Sequence, residues 1–288
     1  VNAAECEPFI TGDNREMVED GQDVLDGMKL IMKYLDLKAG YIAVESNKPD
    51  AIENLKRLIE QNGYDDIKIH IMPSSYPKGA ERVMVYEVTG KVMNAGVLPA
   101  QLGIILDNVT TVGILGNYFR TGMPLTIRRV TVDGDAVADP KNVFAPIGTQ
   151  IADVVEFCGG YKKEPRKIVM GGPMMGKHVP LDSKITKTTK GLIVLPESHP
   201  LIQDVKLEVP KMLHVAKAAC CHCSLCTEVC PRNLIGHRIA PNKTIRFASY
   251  GSLCDGSETP MIAFLCSECR LCQYACPMNL QPWKVNHE

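Results

Sequence analysis

The chain has 288 residues, 45% of them hydrophobic and 23% charged, with a formal net charge of -1. This is the composition of a folded globular protein with room for two or three cores. The near-neutral balance argues against nucleic-acid binding, which shows as a basic face, and no stretch reaches the ~18 uninterrupted apolar residues of a membrane helix.

The chain opens at Val1, without an initiator Met or a signal peptide, on the stretch Asn2-Ala3-Ala4-Glu5-Cys6-Glu7-Pro8. The expectation is a chain whose true beginning lies upstream. An amphipathic helix fits Val18 to Leu37, and Tyr41 to Val44 reads as a buried strand. Ser46-Asn47-Lys48-Pro49 is a turn and helix start, with Pro near the first helical position. Asp50 to Gln61 then places Ile52, Leu55, Leu58 and Ile59 at helical spacing, and Asn62-Gly63 ends the helix. Ile67, Ile69 and Ile71 alternate as in a strand. Pro77-Lys78-Gly79 turns the chain into a helix around Ala80 to Val88. Strand, helix, strand, helix predicts a parallel α/β sheet, Rossmann-like in broad class, over residues 1–122.

From Met123 the texture changes. Leu125, Ile127, Val130 and Val132 suggest short strands, Asp133-Gly134-Asp135 is a hairpin turn signal, and Ile147-Gly148-Thr149 leads into a short helix ending at Gly159-Gly160. Strands around one helix predict an α+β module of β-grasp type over residues 123–205, with Gly171-Gly172-Pro173-Met174-Met175-Gly176 as a loop between modules. From Lys211 onward alternating strands are absent and Ile235 to Ser249 reads as mixed or helical, so an α-helical ferredoxin domain is expected over residues 206–288.

Eight of the twelve cysteines use one spacing twice. Cys220-x2-Cys223-x2-Cys226-x3-Cys230-Pro231 is the bacterial ferredoxin spacing, and Cys266-x2-Cys269-x2-Cys272-x3-Cys276-Pro277 repeats it without deviation. Thiolates at two-residue intervals wrap the backbone around three corners of a [4Fe–4S] cubane, and the fourth cysteine starts a new segment at a Pro. In two-cluster proteins the fourth cysteine reaches the other cluster. This assigns Cys220, Cys223, Cys226 and Cys276 to one cluster, and Cys266, Cys269, Cys272 and Cys230 to the other. Two zinc sites are the rival reading, but they need only paired CxxC steps, with no third step and no Cys-Pro. A repeated spacing also favours metal in a reducing compartment over disulfides. Cys221 reads as a spectator thiol, and Cys158 and Cys254 as small buried residues; Cys6 sits in a charged motif. With all eight thiolates present, His214, His222 and His237 read as surface or outer positions, and Arg232 and Arg246 as solvated or potential-tuning charges.

Three loops could feed such clusters: residues 2–8, Tyr76-Pro77-Lys78-Gly79-Ala80-Glu81, and Asp107-Asn108-Val109-Thr110-Thr111. Open α/β sheets bind ligands beyond the carboxyl ends of their strands. Carboxylates, amides and a tyrosine converging there suit a flavin ring and its ribityl chain. Solvated loop residues are the alternative.

The motifs at 2–8, 76–81 and 107–111, then Gly171 to Gly176 and the double cysteine motif, stand in the order found in RnfC-like flavo-iron–sulfur proteins. The chain resembles that family over essentially its whole length. The family is related to the FMN-carrying subunit of respiratory complex I. The resemblance implies a Rossmann-like FMN domain, a β-grasp (SLBB-type) module and a helical domain with two [4Fe–4S] clusters. Carried over by position, it implies FMN contacts from Asn2, Ala4, Glu5 and Glu7, from Tyr76, Gly79 and Glu81, and from Asn108 and Thr110. The family's glycine-rich phosphate loop would precede Val1. If the chain began here FMN affinity would fall, because backbone N–H groups at a helix start anchor phosphate.

Two branches of the family compete. Cys223 to Arg232, continuing to Gly236-His237, and Cys266 to Cys272, continuing to Pro282, look like the PduS branch, the cobalamin reductases of propanediol-utilisation microcompartments. RnfC proteins more often have Gly after the second cysteine and Met after the Cys-Pro. The PduS resemblance implies NADH as donor, FMN and two clusters as carriers, and a corrinoid as acceptor. It also implies a cytoplasmic protein inside a bacterial microcompartment, with cobalamin adenosyltransferase and shell proteins as partners. The alternative is an RnfC-type relay subunit of a membrane ferredoxin:NAD oxidoreductase. A third expectation is a cluster-bearing piece that binds no flavin.

Overall fold

The computed structural model describes residues 1–204, 208–251 and 260–287; Cys254 lies outside them. The chain divides into two compact units, Val1–Thr89 with Pro99–His199, and Gly90–Leu98 with Pro200–Glu288.

The first unit begins with β1 (Asn2–Ala3), α1 (Gly12–Glu19), α2 (Gly21–Tyr34), β2 (Gly40–Glu45), α3 (Pro49–Asn62), β3 (Ile67–Met72), α4 (Glu81–Thr89) and α5 (Val109–Thr121). β1, β2 and β3 are parallel neighbours in that order. β2 is buried on both faces, with Ile42, Ala43 and Val44 inaccessible, as a covered parallel strand must be. α3 starts at Pro49 and closes on Gly63, whose φ of 64° suits a glycine cap. On the other side of β1, Asn2 bridges Asn108 in parallel and the Asn2 N–H donates to Asp107 O at 2.7 Å. Strand order therefore reverses at β1, the point where open α/β sheets bind ligands. The core beneath is formed by Met17, Val24, Leu25, Leu55 and Val112. α2 and α5 touch through glycines: a Cβ on Gly27 would lie 2.0 Å from Val112 O, and one on Gly116 2.0 Å from Asp23 O.

Two local expectations change. The single helix expected over Val18 to Leu37 is two, because Asp20 leaves helical geometry (φ -119°, ψ 26°) between α1 and α2. The break aims Glu19 and Asp20 at one cation, with Arg129 Nη1 and Nη2 donating to them at 2.5 Å each. Asp107 to Thr111 is not all loop: Asn108 accepts from Thr110 N at 3.1 Å and caps α5.

The unit continues with β4 (Ile127–Asp133), β5 (Lys141–Pro146), α6 (Ile151–Phe157), β6 (Pro165–Met170), β7 (Lys177–Val179) and β8 (Gly191–Pro196). The sheet order is β5-β4-β8-β6-β7, parallel between β4 and β8 and antiparallel elsewhere. Val130, Val132, Ile151, Val155, Leu192 and Val194 pack α6 against it, so strands surround one helix as expected. The strand expected from Leu125 begins at Ile127. The Gly171 to Gly176 stretch joins β6 to its antiparallel neighbour β7 and is not a linker between modules.

The second unit is helical among its described residues: α7 (Pro200–Asp204), α8 (Val209–Ala219), α9 (Leu225–Glu228), α10 (Pro231–Leu234), α11 (Pro241–Tyr250), α12 (Leu271–Tyr274) and α13 (Pro282–His287). Met212, Ala216, Ile245 and Leu280 form its core, with Cys220 and Cys276 packed against it. No helix of the described residues is long and apolar enough to cross a membrane.

Candidate functional site: a thiol-lined centre and a switch-point crevice

The two cysteine motifs adopt one backbone. The residues just before and just after each second cysteine are left-handed without being glycine: His222 and Ser224 at φ 56° and 65°, Glu268 and Arg270 at 55° and 64°. Such residues persist only where the surroundings determine them. A short helix then starts in each motif, α9 at Leu225 and α12 at Leu271. Asn242 at the start of α11 clasps the first motif, donating from Nδ2 to Ser224 Oγ (2.9 Å) and accepting from Thr227 Oγ1 (2.7 Å). Trp283 of α13 clasps the second, with Nε1 donating to Gln273 Oε1 at 2.7 Å and the Arg270 guanidinium 4.5 Å over its ring.

The thiols form two sets, each drawing from both motifs. Cys220, Cys223, Cys226 and Cys276 line one cavity, with the exposed Cys221 at it as well. Burial pushes the Cys226 thiol up to about 11, with Cys276, Cys220 and Cys223 adding to it. Burial also raises Cys230, against N–H donors from Asn233 and Arg232, with Cys269 and Cys266 raising it further. Cys272 is raised by burial and then by Cys266 and Cys269. Thiols held up in this way ionise when a metal supplies the compensating charge. Among the described residues no three metal-ligating side chains converge on one point. The all-sulfur donor sets, ringing space rather than a point, fit iron–sulfur clusters. Cys221 is exposed and Cys158 is buried.

The crevice lies at the carboxyl end of the parallel sheet. Asn2, the first residue of the two-residue β1, donates to Gly79 O at 2.9 Å and accepts from Ala4 N at 3.1 Å, which draws the loops after β1 and β3 together. Glu5 turns back to α1, where Asp13 N and Asn14 N donate to its carboxylate at 2.6 and 3.2 Å, and Lys48 Nζ stands 3.5 Å away. Asn108 Nδ2 and Thr110 Oγ1 both donate to Asp13, at 2.8 and 2.6 Å. Asn2, Ala4, Glu5, Gly79, Asn108 and Thr110 thus converge. Glu7 does not face them; it accepts from Met174 N and Met175 N at 2.9 Å each. Tyr76 is half-buried in the loop after β3, and Glu81 is exposed at the start of α4.

The centre of this network, Asp13, is absent from the residues expected from sequence, as are Lys190, Glu45 and Asn14. Asp13 carried a weak signal, an acid in a helix's first turn. Lys190 carried none. Burial by itself would raise the pKa of Asp13, but Lys190, Thr110 and Asn108 outweigh it and hold the group below its ordinary value. Burial, then the Asp13 charge, lifts Glu5 to about 7, against its N–H donors and Lys48. Two buried acceptors beside Glu5, Asn14 Oδ1 and Glu45 Oε2, have no hydrogen-bond partner. A flavin offers donors of the kind these atoms lack, a ring N–H and ribityl hydroxyls, so the crevice fits one.

Comparison with known proteins bears on both sites. Residues 1–115 match the Nuo51 FMN-binding domain family, 129–177 the SLBB domain and 219–281 the 4Fe-4S dicluster domain. Fold and sites together define a flavin and iron–sulfur protein, with FMN and [4Fe–4S] clusters as the cofactors of its domains. Over most of its length the chain is similar to RnfC-like flavo-iron–sulfur proteins. It is 38% identical over 251 residues to "Cobalamin reductase PduS" of Salmonella typhimurium, covering 87% of this chain and 54% of that protein. It is 36% identical over 235 residues to a component of the "Proton-translocating ferredoxin:NAD(+) oxidoreductase complex" of Clostridium ljungdahlii, covering 81% and 48%. The chain thus spans about half the length of the curated relatives it matches. An NAD+-reducing [NiFe]-hydrogenase structure shares the fold at TM-score 0.62 and 14% identity, covering 99% of this chain and 53% of that one.

Proposed function

We propose that the chain passes electrons from NADH, through FMN and two [4Fe–4S] clusters, to a corrinoid. A flavin held in the crevice would supply the exchange of a hydride pair for single electrons, and clusters held by the eight cysteines would supply one-electron carriage. Asn2 and Asn108 hold the loops that frame the flavin, and Ala4, Gly79 and Thr110 belong to the same frame. Glu5, lifted to about 7, is divided between its charged and uncharged forms near physiological pH, so it can hold or release a proton in the crevice. Cys220, Cys223, Cys226 and Cys276 hold one cluster; Cys266, Cys269, Cys272 and Cys230 hold the other.

The observation that carries this reading is the pairing of a buried acid–amide crevice at the strand-order reversal with two four-thiol sets in one chain. The corrinoid acceptor rests on the likeness to the cobalamin reductase and on the Cys223 to Arg232 stretch. With it come a place inside a bacterial microcompartment and an adenosyltransferase and shell proteins as partners. The test is the reconstituted protein with FMN and clusters. NADH should bleach the flavin and then reduce cob(III)alamin; flavin bleaching without cobalamin reduction defeats the corrinoid assignment. The near-equal identity to the Clostridium protein favours a second reading, a relay between ferredoxin and NAD+ within a membrane complex. Co-purification with integral membrane redox proteins would select it.

A further inference from the structure

The two cysteine motifs share one spacing and one backbone, so residues at matched positions compare directly. Arg270 follows the second cysteine of the second motif, where the first motif has Ser224. Arg232 follows the Cys-Pro of the first motif, where the second has Met278. Each motif thus carries an arginine. The thiol sets cross, however, and Cys230 lies with Cys269 and Cys266. Both arginines therefore flank the Cys266 set, and Ser224 and Met278 flank the Cys220 set.

Arg270 is fixed at its set. Its guanidinium lies 4.5 Å over the Trp283 ring, the Trp283 backbone N–H donates to Cys272, and the indole holds Gln273, the residue after Cys272. Its Nε is buried and meets no acceptor among the described residues. The N–H groups of Arg232 and Asn233 donate to Cys230. Glu268 N donates to Cys266 at 3.3 Å, and Leu271 N and the Ser267 hydroxyl to Cys269. Donors thus reach all four sulfurs of the Cys266 set. In the Cys220 set, the Thr227 hydroxyl beside Cys226 gives its proton to Asn242 Oδ1 at 2.7 Å. Lys217, which precedes that set on α8, is exposed, and solvent screens its charge.

Reduction adds a negative charge to a cluster. Hydrogen bonds to the sulfurs and adjacent cations favour the reduced form and raise the potential. Glu268 returns half the charge that the two arginines supply. Burial of Cys230, Cys269 and Cys272 also opposes added charge. The same burial, however, strengthens the attraction of an adjacent arginine by limiting its screening. The arginines and the donors together therefore set the sign.

We propose that the set of Cys266, Cys269, Cys272 and Cys230 holds the cluster of higher potential, where a transferred electron comes to rest, and that Arg270 sets this order. The inference rests on the assignment of four thiols to each cluster proposed above. At one applied potential the reduced-to-oxidised ratio at this set should exceed that at the other by at least ~10-fold, about 59 mV for one electron.

The test uses the full chain, reconstituted anaerobically. Iron and acid-labile sulfide are measured first, since two cubanes need about eight iron atoms per chain. Iron for fewer than two cubanes overturns the cluster reading and the inference with it. With full iron, a potentiometric titration followed by low-temperature EPR should show two waves. Arg270→Gln should lower the upper wave by at least ~3-fold in that ratio and leave the lower wave in place, with iron content unchanged. Arg270→Lys keeps the charge and should keep the order. Cys276→Ser should remove the lower wave, and Cys266→Ser the upper. Coincident waves, loss of the upper wave in Cys276→Ser, or an Arg270→Gln chain that sheds iron without shifting the upper wave overturns the inference while the cluster reading stands.

Discussion

Lys190 and Asp13, 177 positions apart, meet with Nζ 2.8 Å from Oδ2. The pair ties the residue before β8 to the first turn of α1, and through Asp13 it reaches Thr110 and Asn108. The five-stranded sheet thereby supports the crevice of the parallel sheet.

Asp13→Asn should cost about 2–4 kcal/mol, because it strands a lysine and disturbs two further donors in a buried place. Lys190→Met should cost less, since the lysine is 37% exposed and Asp13 keeps its Thr110 and Asn108 bonds. Urea midpoints for the two variants at neutral pH check the order; a larger loss from Lys190→Met would contradict this account.

Stability should fall as pH rises from about 4.5 to about 7. Glu5 and Glu16 are both lifted to about 7, chiefly by burial, so the folded chain holds protons that the unfolded chain has released in this window. Their neutral forms favour the fold below it, and that contribution is lost above it. Glu5→Gln should flatten the profile and raise stability near pH 8 by up to ~2 kcal/mol. Unfolding at about pH 5 and about pH 8 reads the slope, and an unchanged slope in Glu5→Gln would assign it elsewhere.

Gly116→Ala should destabilise by about 3 kcal/mol or more, as overpacking does where no side chain can yield. The added Cβ meets the backbone oxygen of Asp23 at 2.0 Å, so α2 and α5 must separate. Thermal unfolding measures the effect. A loss no larger than the ordinary Gly-to-Ala helix gain can mask, under ~1 kcal/mol, would mean the helices part easily.

Cluster pairing should appear as non-additivity. If Cys276 serves the Cys220 set, Cys276→Ser with Cys220→Ser should leave about as much iron as either single variant, about one cluster. Cys276→Ser with Cys266→Ser should remove both clusters. Iron content and the low-temperature EPR of the reduced protein distinguish these outcomes, and the reverse pattern would mean each motif holds its own cluster.

The strand and helix periods over Tyr41 to Val88 were legible because each element buries a face set by its own local pattern. The spacing of the eight cysteines was legible for a similar reason: cubane ligation by consecutive short steps is local. The break at Asp20 was not, because it is imposed by Arg129, 109 positions away. The role of Gly171 to Gly176 was misread since a glycine-rich stretch looks alike in a linker and in a hairpin of one sheet. Glu7 appeared beside Glu5 as a second ligand of one crevice, yet its carboxylate is taken by the backbone of Met174 and Met175.

The sequence by itself determined the α/β, then α+β, then helical order, and the two four-cysteine motifs, all of which follow from short-range spacing. Only the tertiary structure decided that strand order reverses at β1 and that Asp13 and Lys190 anchor the crevice. Those are consequences of chain crossings that bring distant residues within hydrogen-bond reach, and no local period records them.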